Sequence, residues 1–259
     1  MLNIKDFSLD FFSLKGRTAL VTGGNSGLGQ AFSLALAKAG ADLFIPSIIE
    51  EEGETRDILK EAGARSAFLK TDLSQAGRPA EAVGQCLAEF GALDILVNCA
   101  GICLIDEVLD FGREKWDPMI AVNLTAAFEM SHEAAKVMIP RKSGKIINIC
   151  SLFSYLGGLG SPAYAASKHA LAGLTRAYAD ELAGSNIQVN GLAPGYYATN
   201  VTRVTRSDPV KNQRVLDHIP AGRWGEAQDL MGAVVFLASR ASDYVNGTIL
   251  VVDGGYLVR

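Results

Sequence analysis

From Arg17 onward, short apolar runs rich in β-branched residues alternate with longer stretches of helical periodicity. The runs RTALVT, ADLFIPS, RSAFLKT, LDILVNC, GKIINIC, IQVNGLA and TILVVDG read as strands. The stretches near 27–39, 51–62, 79–90, 117–139, 163–183, 200–217 and 226–238 read as helices. Alternation sustained this long predicts a parallel sheet with helices on both faces. The strands are apolar at nearly every position, which fits burial on two sides. No internal repeat, low-complexity tract or linker interrupts the pattern. The expected fold is α/β: a doubly wound parallel sheet of about seven strands in one domain spanning 1–259. Residues 1–15 read as a short arm whose Phe7, Phe11 and Phe12 tuck against the body.

Composition narrows the function. At 259 residues, 49% of them hydrophobic, the chain can bury a large single core. A net charge of −4 provides no basic field for nucleic acid; Arg141-Lys142 and Arg203 with Arg206 are too sparse for a phosphate-tracking stripe. Cys86, Cys99, Cys103 and Cys150 follow neither a metal-ligand nor a disulfide spacing, so free thiols and no bound metal are expected. His132, His169 and His218 do not pair with a ligand-spaced cysteine either. The stretch MLNIKDFSLDFF lacks a signal-peptide pattern, and no apolar run is long enough for a membrane span. A soluble, cytoplasmic protein is the expectation.

The first strand runs directly into Thr22-Gly23-Gly24-Asn25-Ser26-Gly27-Leu28-Gly29 and an amphipathic helix. Glycines at such a turn allow a pyrophosphate to approach the backbone and meet the helix N-terminus, the phosphate site of a Rossmann-type fold. Further along, Tyr164 and Lys168 stand four residues apart at the start of a helix, hence on one face. An ammonium one turn from a phenol favours the phenolate. Ser151 ends the run KIINIC, and a glycine-rich loop (Gly157, Gly158, Gly160) returns the chain toward the tyrosine. A serine hydroxyl and a phenol converging on one oxygen suit chemistry at a carbinol or carbonyl.

These motifs together resemble the short-chain dehydrogenase/reductase family over nearly the whole chain. TGGNSGLG is similar to its TGxxxGxG element, implying a dinucleotide held by Gly23, Asn25, Ser26, Leu28 and Gly29. The resemblance implies adenine contacts at Asp72 and Leu73. It also implies cofactor contacts at Asn98, Ala100 and Gly101, where Cys99 replaces an Asn of the family's NNAG. Pro194, Gly195, Tyr197 and Thr199 fall in the element beside the nicotinamide, and VDGG at 252–255 resembles the closing turn. Asn123, Ser151, Tyr164 and Lys168 match the four catalytic positions, with Lys168 implied to lower the Tyr164 pKa and to hold the nicotinamide ribose, and Tyr164 also bordering the cofactor. Ser151 and Tyr164 would contact substrate, and Asn123 would support a water leading to Lys168.

The chain shows neither an Arg or Lys in the glycine turn nor an Asp closing the second strand. Glu50, Glu51 and Glu52 follow closely and would repel a 2′-phosphate, so NAD is expected ahead of NADP. The segment 196–224 resembles the family's substrate lid. Its Arg203, Arg206, Arg214 and His218 suit an anionic substrate. Several stretches, among them NICSLFSYLGG and IPAGRWGEAQDLMG, look like the sugar-acid branch of the family, which makes Arg206 the first candidate for the substrate carboxylate. The resemblance further implies a homotetramer pairing the helices at 117–139 and 163–183. A polyol dehydrogenase, an NADPH-dependent 3-oxoacyl-thioester reductase and a non-catalytic nucleotide sensor are the competing readings.

Overall fold

The structure, a computed structural model, describes residues 7–259. Strands β1 (Thr18–Val21), β2 (Asp42–Ser47), β3 (Ser66–Lys70), β4 (Ile95–Asn98), β5 (Gly144–Ile149), β6 (Ile187–Pro194) and β7 (Ile249–Val252) form one parallel sheet in the order β3-β2-β1-β4-β5-β6-β7. Each strand is one the apolar runs predict. Helices α1 (Gly27–Lys38), α2 (Glu54–Glu61), α3 (Arg78–Phe90), α4 (Arg113–Ile120), α5 (Ala126–Arg141), α6 (Pro162–Leu182), α7 (Arg203–Ser207), α8 (Pro209–His218) and α9 (Gln228–Ala238) connect them.

Successive strand residues point to opposite faces. Ala19 and Val21 of β1 join Phe32 and Leu36 of α1 and Leu230 and Val234 of α9 on one side. Leu20 between them joins Val83 of α3, Met130 of α5 and Leu182 of α6 on the other. Two buried faces therefore explain why the strand sequences show no polar alternation. Strand order grows outward from β1 to β3, then reverses as the chain crosses to β4 on the other side of β1. That reversal opens a crevice beyond the C-terminal ends of β1 and β4, where ligands of such sheets bind.

Two predicted helices differ from what is observed. The expected helix at 117–139 begins earlier, as α4, and passes through a π-helical turn at Ala121–Thr125 before continuing as α5. The expected helix at 200–217 is broken into α7 and α8 at Asp208-Pro209. A residue before proline is biased away from helical backbone, and proline suits a first helical turn. The Asp208 carboxylate then caps α8, accepting from the backbone N–H groups of Val210 at 3.0 Å and Lys211 at 3.1 Å. Of the N-terminal aromatics, Phe11 lies under the Arg240 guanidinium at 4.9 Å and Phe7 meets it edge-on, while Phe7 itself is largely exposed. Residues 1–6 of the expected arm lie outside the described residues. Among the described residues no helix is long and apolar enough to cross a membrane.

Candidate active site

The glycine turn is built by close backbone contacts. Gly23 adopts a left-handed φ of +66°, which costs glycine little, and donates to the Pro46 carbonyl at 2.8 Å. At Gly29 a Cβ would stand 2.3 Å from the Gly23 carbonyl oxygen, so a side chain there would break the turn. The Ser33 hydroxyl of α1 donates to the Gly24 carbonyl at 2.9 Å and holds the turn from below. Thr22, the first residue of the glycine-turn motif, is the joint between the two sides of the crevice. Its Oγ1 accepts from the N–H groups of both Cys99 and Ala100 at 2.9 Å.

A nicotinamide dinucleotide fits these residues. The turn leads into the N-terminus of α1, whose free N–H groups suit a pyrophosphate. Two buried polar atoms at the groove, Asn25 Oδ1 and Thr71 Oγ1, have no hydrogen-bond partner among the described residues. Other expected cofactor residues are engaged in the fold. Asn25 Nδ2 donates to the Ile49 carbonyl at 2.9 Å, fixing the glycine turn against the end of β2. The Asp72 carboxylate accepts from the Ser74 backbone N–H at 3.0 Å and its hydroxyl at 2.7 Å, and these bonds lower its pKa. Leu73 is buried against the α3 side of the core, and Leu28 packs against the α1 side.

The Asn98 side chain turns away from the crevice: its Nδ2 donates to Asn148 Oδ1 at 2.8 Å and to Ser131 at 3.0 Å, tying β4 to β5 and α5. Tyr197 is 4% exposed and donates to the Val252 carbonyl at 3.0 Å, so its ring belongs to the core. Pro194 ends β6 and Gly195 packs on Asp253, where a Cβ would lie 2.6 Å from Asp253 Cα. The Thr199 carbonyl receives the Arg206 guanidinium at 3.0 Å.

The reacting end lies past β5. Ser151 follows the strand and caps a short 3-10 turn (Leu152–Ser154), its hydroxyl accepting from the Phe153 N–H at 3.2 Å. Tyr164 and Lys168 sit on the first turns of α6, with the ammonium 5.6 Å from the centre of the phenol ring. Lys168 is buried and donates to the Ile149 carbonyl at 2.7 Å. Of the five residues of the π-helical turn, Asn123 alone is buried. Its Oδ1 accepts from the Ile102 N–H at 2.8 Å, and its Nδ2 donates to the Ile102 carbonyl at 2.9 Å and the Ser167 hydroxyl at 3.3 Å. The Ser167 hydroxyl donates to the Tyr164 carbonyl at 2.8 Å, which links Asn123 to the base of α6. Gly101 lies against this amide, where a Cβ would come within 3.2 Å of Asn123 Oδ1.

Burial sets the protonation of the site. It pushes the Tyr164 phenol up to about 12, only partly offset by the Ser151 hydroxyl, which stabilises the phenolate. The sequence reading has Lys168 lowering this pKa; here desolvation dominates, and it also lowers the pKa of Lys168 itself. Burial likewise raises the Cys99 thiol to about 12, so this neighbour stays a neutral thiol. All four cysteines are free. At neutral pH the site therefore holds a neutral phenol, a serine hydroxyl beside it and the Lys168 amine 5.6 Å from the ring centre.

Over residues 23–257 the chain matches the family model described as enoyl-(acyl carrier protein) reductase. It is 67% identical over 257 residues to the uncharacterized oxidoreductase YgcW of Escherichia coli (strain K12), covering 99% of this chain and 98% of that protein. It is 48% identical over 250 residues to the 2-dehydro-3-deoxy-D-gluconate 5-dehydrogenase of Bacillus subtilis (strain 168), covering 96% of this chain and 98% of that protein. Among solved structures, a gluconate 5-dehydrogenase from Burkholderia cenocepacia J2315 in complex with NADP and tartrate aligns with a TM-score of 0.90 at 39% identity, covering 98% of this chain and 100% of that one. With the glycine turn, the tyrosine–lysine helix and a match that runs through most of its length, the chain belongs to the short-chain dehydrogenase/reductase family of oxidoreductases.

Proposed function

We propose that the protein interconverts a secondary alcohol and a ketone on a gluconate-type sugar acid. The observation that carries this reading is the meeting of Ser151, Tyr164 and Lys168 past the C-terminal end of β5, beside a glycine turn shaped for a pyrophosphate. The names of the 48% and 39% identical relatives support the substrate class. When bound, the nicotinamide dinucleotide supplies or accepts the hydride. Tyr164 gives a proton to the reacting oxygen in reduction and takes it in oxidation. The Ser151 hydroxyl donates a hydrogen bond to the same oxygen and orients it. Lys168 lies beside the phenol ring and holds the ribose hydroxyls. Asn123 fixes the Ile102 backbone and, through Ser167, the start of α6. Residues 196–224 cover this site as the substrate lid.

For the dinucleotide we infer NADP(H) ahead of NAD(H), against the expectation from sequence. Support comes from the NADP in the Burkholderia structure and from Lys70, which ends β3 in register with Ser47 at the end of β2. Glu50, the first of the carboxylates expected to repel a 2′-phosphate, is itself held by Lys70 at 2.7 Å, which offsets its charge. Copies of the chain pair through the groove that Leu124, Phe128, Gly173, Leu174 and Ala177 line between α5 and α6.

The test is initial rate, read from nicotinamide absorbance with each dinucleotide, across deoxy- and ketogluconates, free polyols and 3-oxoacyl and enoyl thioesters. Turnover of a sugar acid with NADP(H) is the expected result. A preference for a thioester would replace the reading with a carrier-linked reductase.

A further inference from the structure

The segment after Gly195 carries five cations, and the structure gives them different roles. Arg206, the candidate favoured by sequence, is used internally: its Nη2 donates to the Thr199 carbonyl at 3.0 Å and its Nε to Thr202 Oγ1 at 3.4 Å. Thr202 Oγ1 in turn donates to the Tyr197 carbonyl at 2.6 Å, so Arg206 splints the start of the lid. Arg223 is paired with Asp229 at 2.7 Å, and Lys211 lies 3.7 Å from Asp208. Arg203 and Arg214 have no ion-pair partner among the described residues. Arg203 sits between the exposed valines Val201 and Val204.

Arg214 has different surroundings. It lies on the flank of α8 one turn before His218, whose ring stands 4.3 Å from that of Tyr256. Tyr256 stands 5.1 Å from Tyr196, the residue that follows Gly195 at the end of β6. Trp224 closes the far side of Tyr196 at 5.6 Å and is itself fixed to Asn212 of α8 by a 2.8 Å hydrogen bond. These ring contacts lead from α8 to Tyr196 just past β6, the strand paired with β5, whose end carries Ser151.

We propose that Arg214, not Arg206, receives the substrate carboxylate, with the Tyr196–Tyr256 pair walling the space between that anchor and the Ser151–Tyr164 hydroxyls. This rests on the sugar-acid reading above. A free guanidinium offers a planar fork that matches a carboxylate, and among the described residues no acceptor competes for it. An anchor at one end of the substrate selects acids over the corresponding polyols while leaving the hydride step to the other end.

Calorimetric titration of the NADP-loaded protein with D-gluconate and with D-glucitol, the same carbon skeleton without the charge, tests this. Loss of a charge-assisted pair predicts that Arg214→Gln weakens gluconate binding by about tenfold to a hundredfold and leaves glucitol binding unchanged. Arg214→Lys, which keeps charge but loses the fork, is expected to fall between. Arg206→Gln should lower the melting temperature and affect both ligands alike. A wild type that binds gluconate while Arg214→Gln changes nothing overturns the anchor alone, as does a gluconate-specific loss in Arg206→Gln. A wild type that binds no sugar acid overturns the substrate reading, and the anchor with it.

Discussion

Tyr164 is a neutral phenol at rest. Because burial holds its pKa near 12, the neutral phenol predominates across the neutral range. In the proposed reaction, reduction uses that form directly, so its rate should be flat with pH until the phenol begins to ionise. Oxidation needs the phenolate, whose share rises about tenfold per pH unit below the pKa. We expect kcat/KM for oxidation to climb with pH through the alkaline range and kcat/KM for reduction not to. A bell centred near neutrality in both directions would contradict this assignment. Tyr164→Phe should cost about 10²- to 10⁴-fold in either direction, the usual contribution of a positioned acid or base. The tyrosine and lysine were legible in the sequence because helical periodicity alone places i and i+4 together. The dominance of burial was not, since desolvation depends on which elements converge around the ring.

The glycine turn is the most legible element of the site, for its residue types answer a backbone requirement that is local. Gly29→Ala brings a Cβ within 2.3 Å of the Gly23 carbonyl oxygen, a clash with backbone that a flexible side chain cannot relieve. Overpacking of this kind costs about 1–3 kcal/mol. The variant should melt several degrees lower and lose dinucleotide binding in a fluorescence titration; unchanged affinity would show that the turn does not carry the phosphate. The segment 196–224, expected as a lid, was less legible. Its polar periodicity runs on from 200 to 217, and only the Asp208-Pro209 pair marks where α7 stops and α8 begins. The role of Arg206 was hidden for a similar reason, because its acceptors, Thr199 and Thr202, depend on how the chain folds back after β6.

At the scale of the molecule, strand number, parallel pairing and two covered faces all follow from the apolar runs. The position of the crevice does not; it follows from the crossover that sends β4 to the far side of β1. Phe128 on the outer face of α5 is 44% exposed, stacks on His132 and meets Tyr178 edge-on, beside the small residues Gly173 and Ala177 of α6. Large exposed apolar groups in a groove of small residues suit a second copy of the same helices. Sedimentation of the wild type as an oligomer, with Phe128→Glu shifted to a smaller species, is the expected outcome. A wild-type monomer at micromolar concentration would rule the pairing out.

The π-helical turn at Ala121–Thr125 behaves, in the arithmetic of a helix, as one residue inserted into an α-helix. Its consequence is genetic. Deleting a single codon between 121 and 125 would relax the bulge into ordinary α-helix and leave α5 able to pack on α3, yet Asn123 would no longer reach the Ile102 backbone. A deletion scan read for both soluble folded protein and turnover should find in these five positions the rare class of frame-preserving lesions that keep the fold and lose the activity. If such deletions abolish both together, the bulge is a requirement of the fold rather than a device for placing one amide.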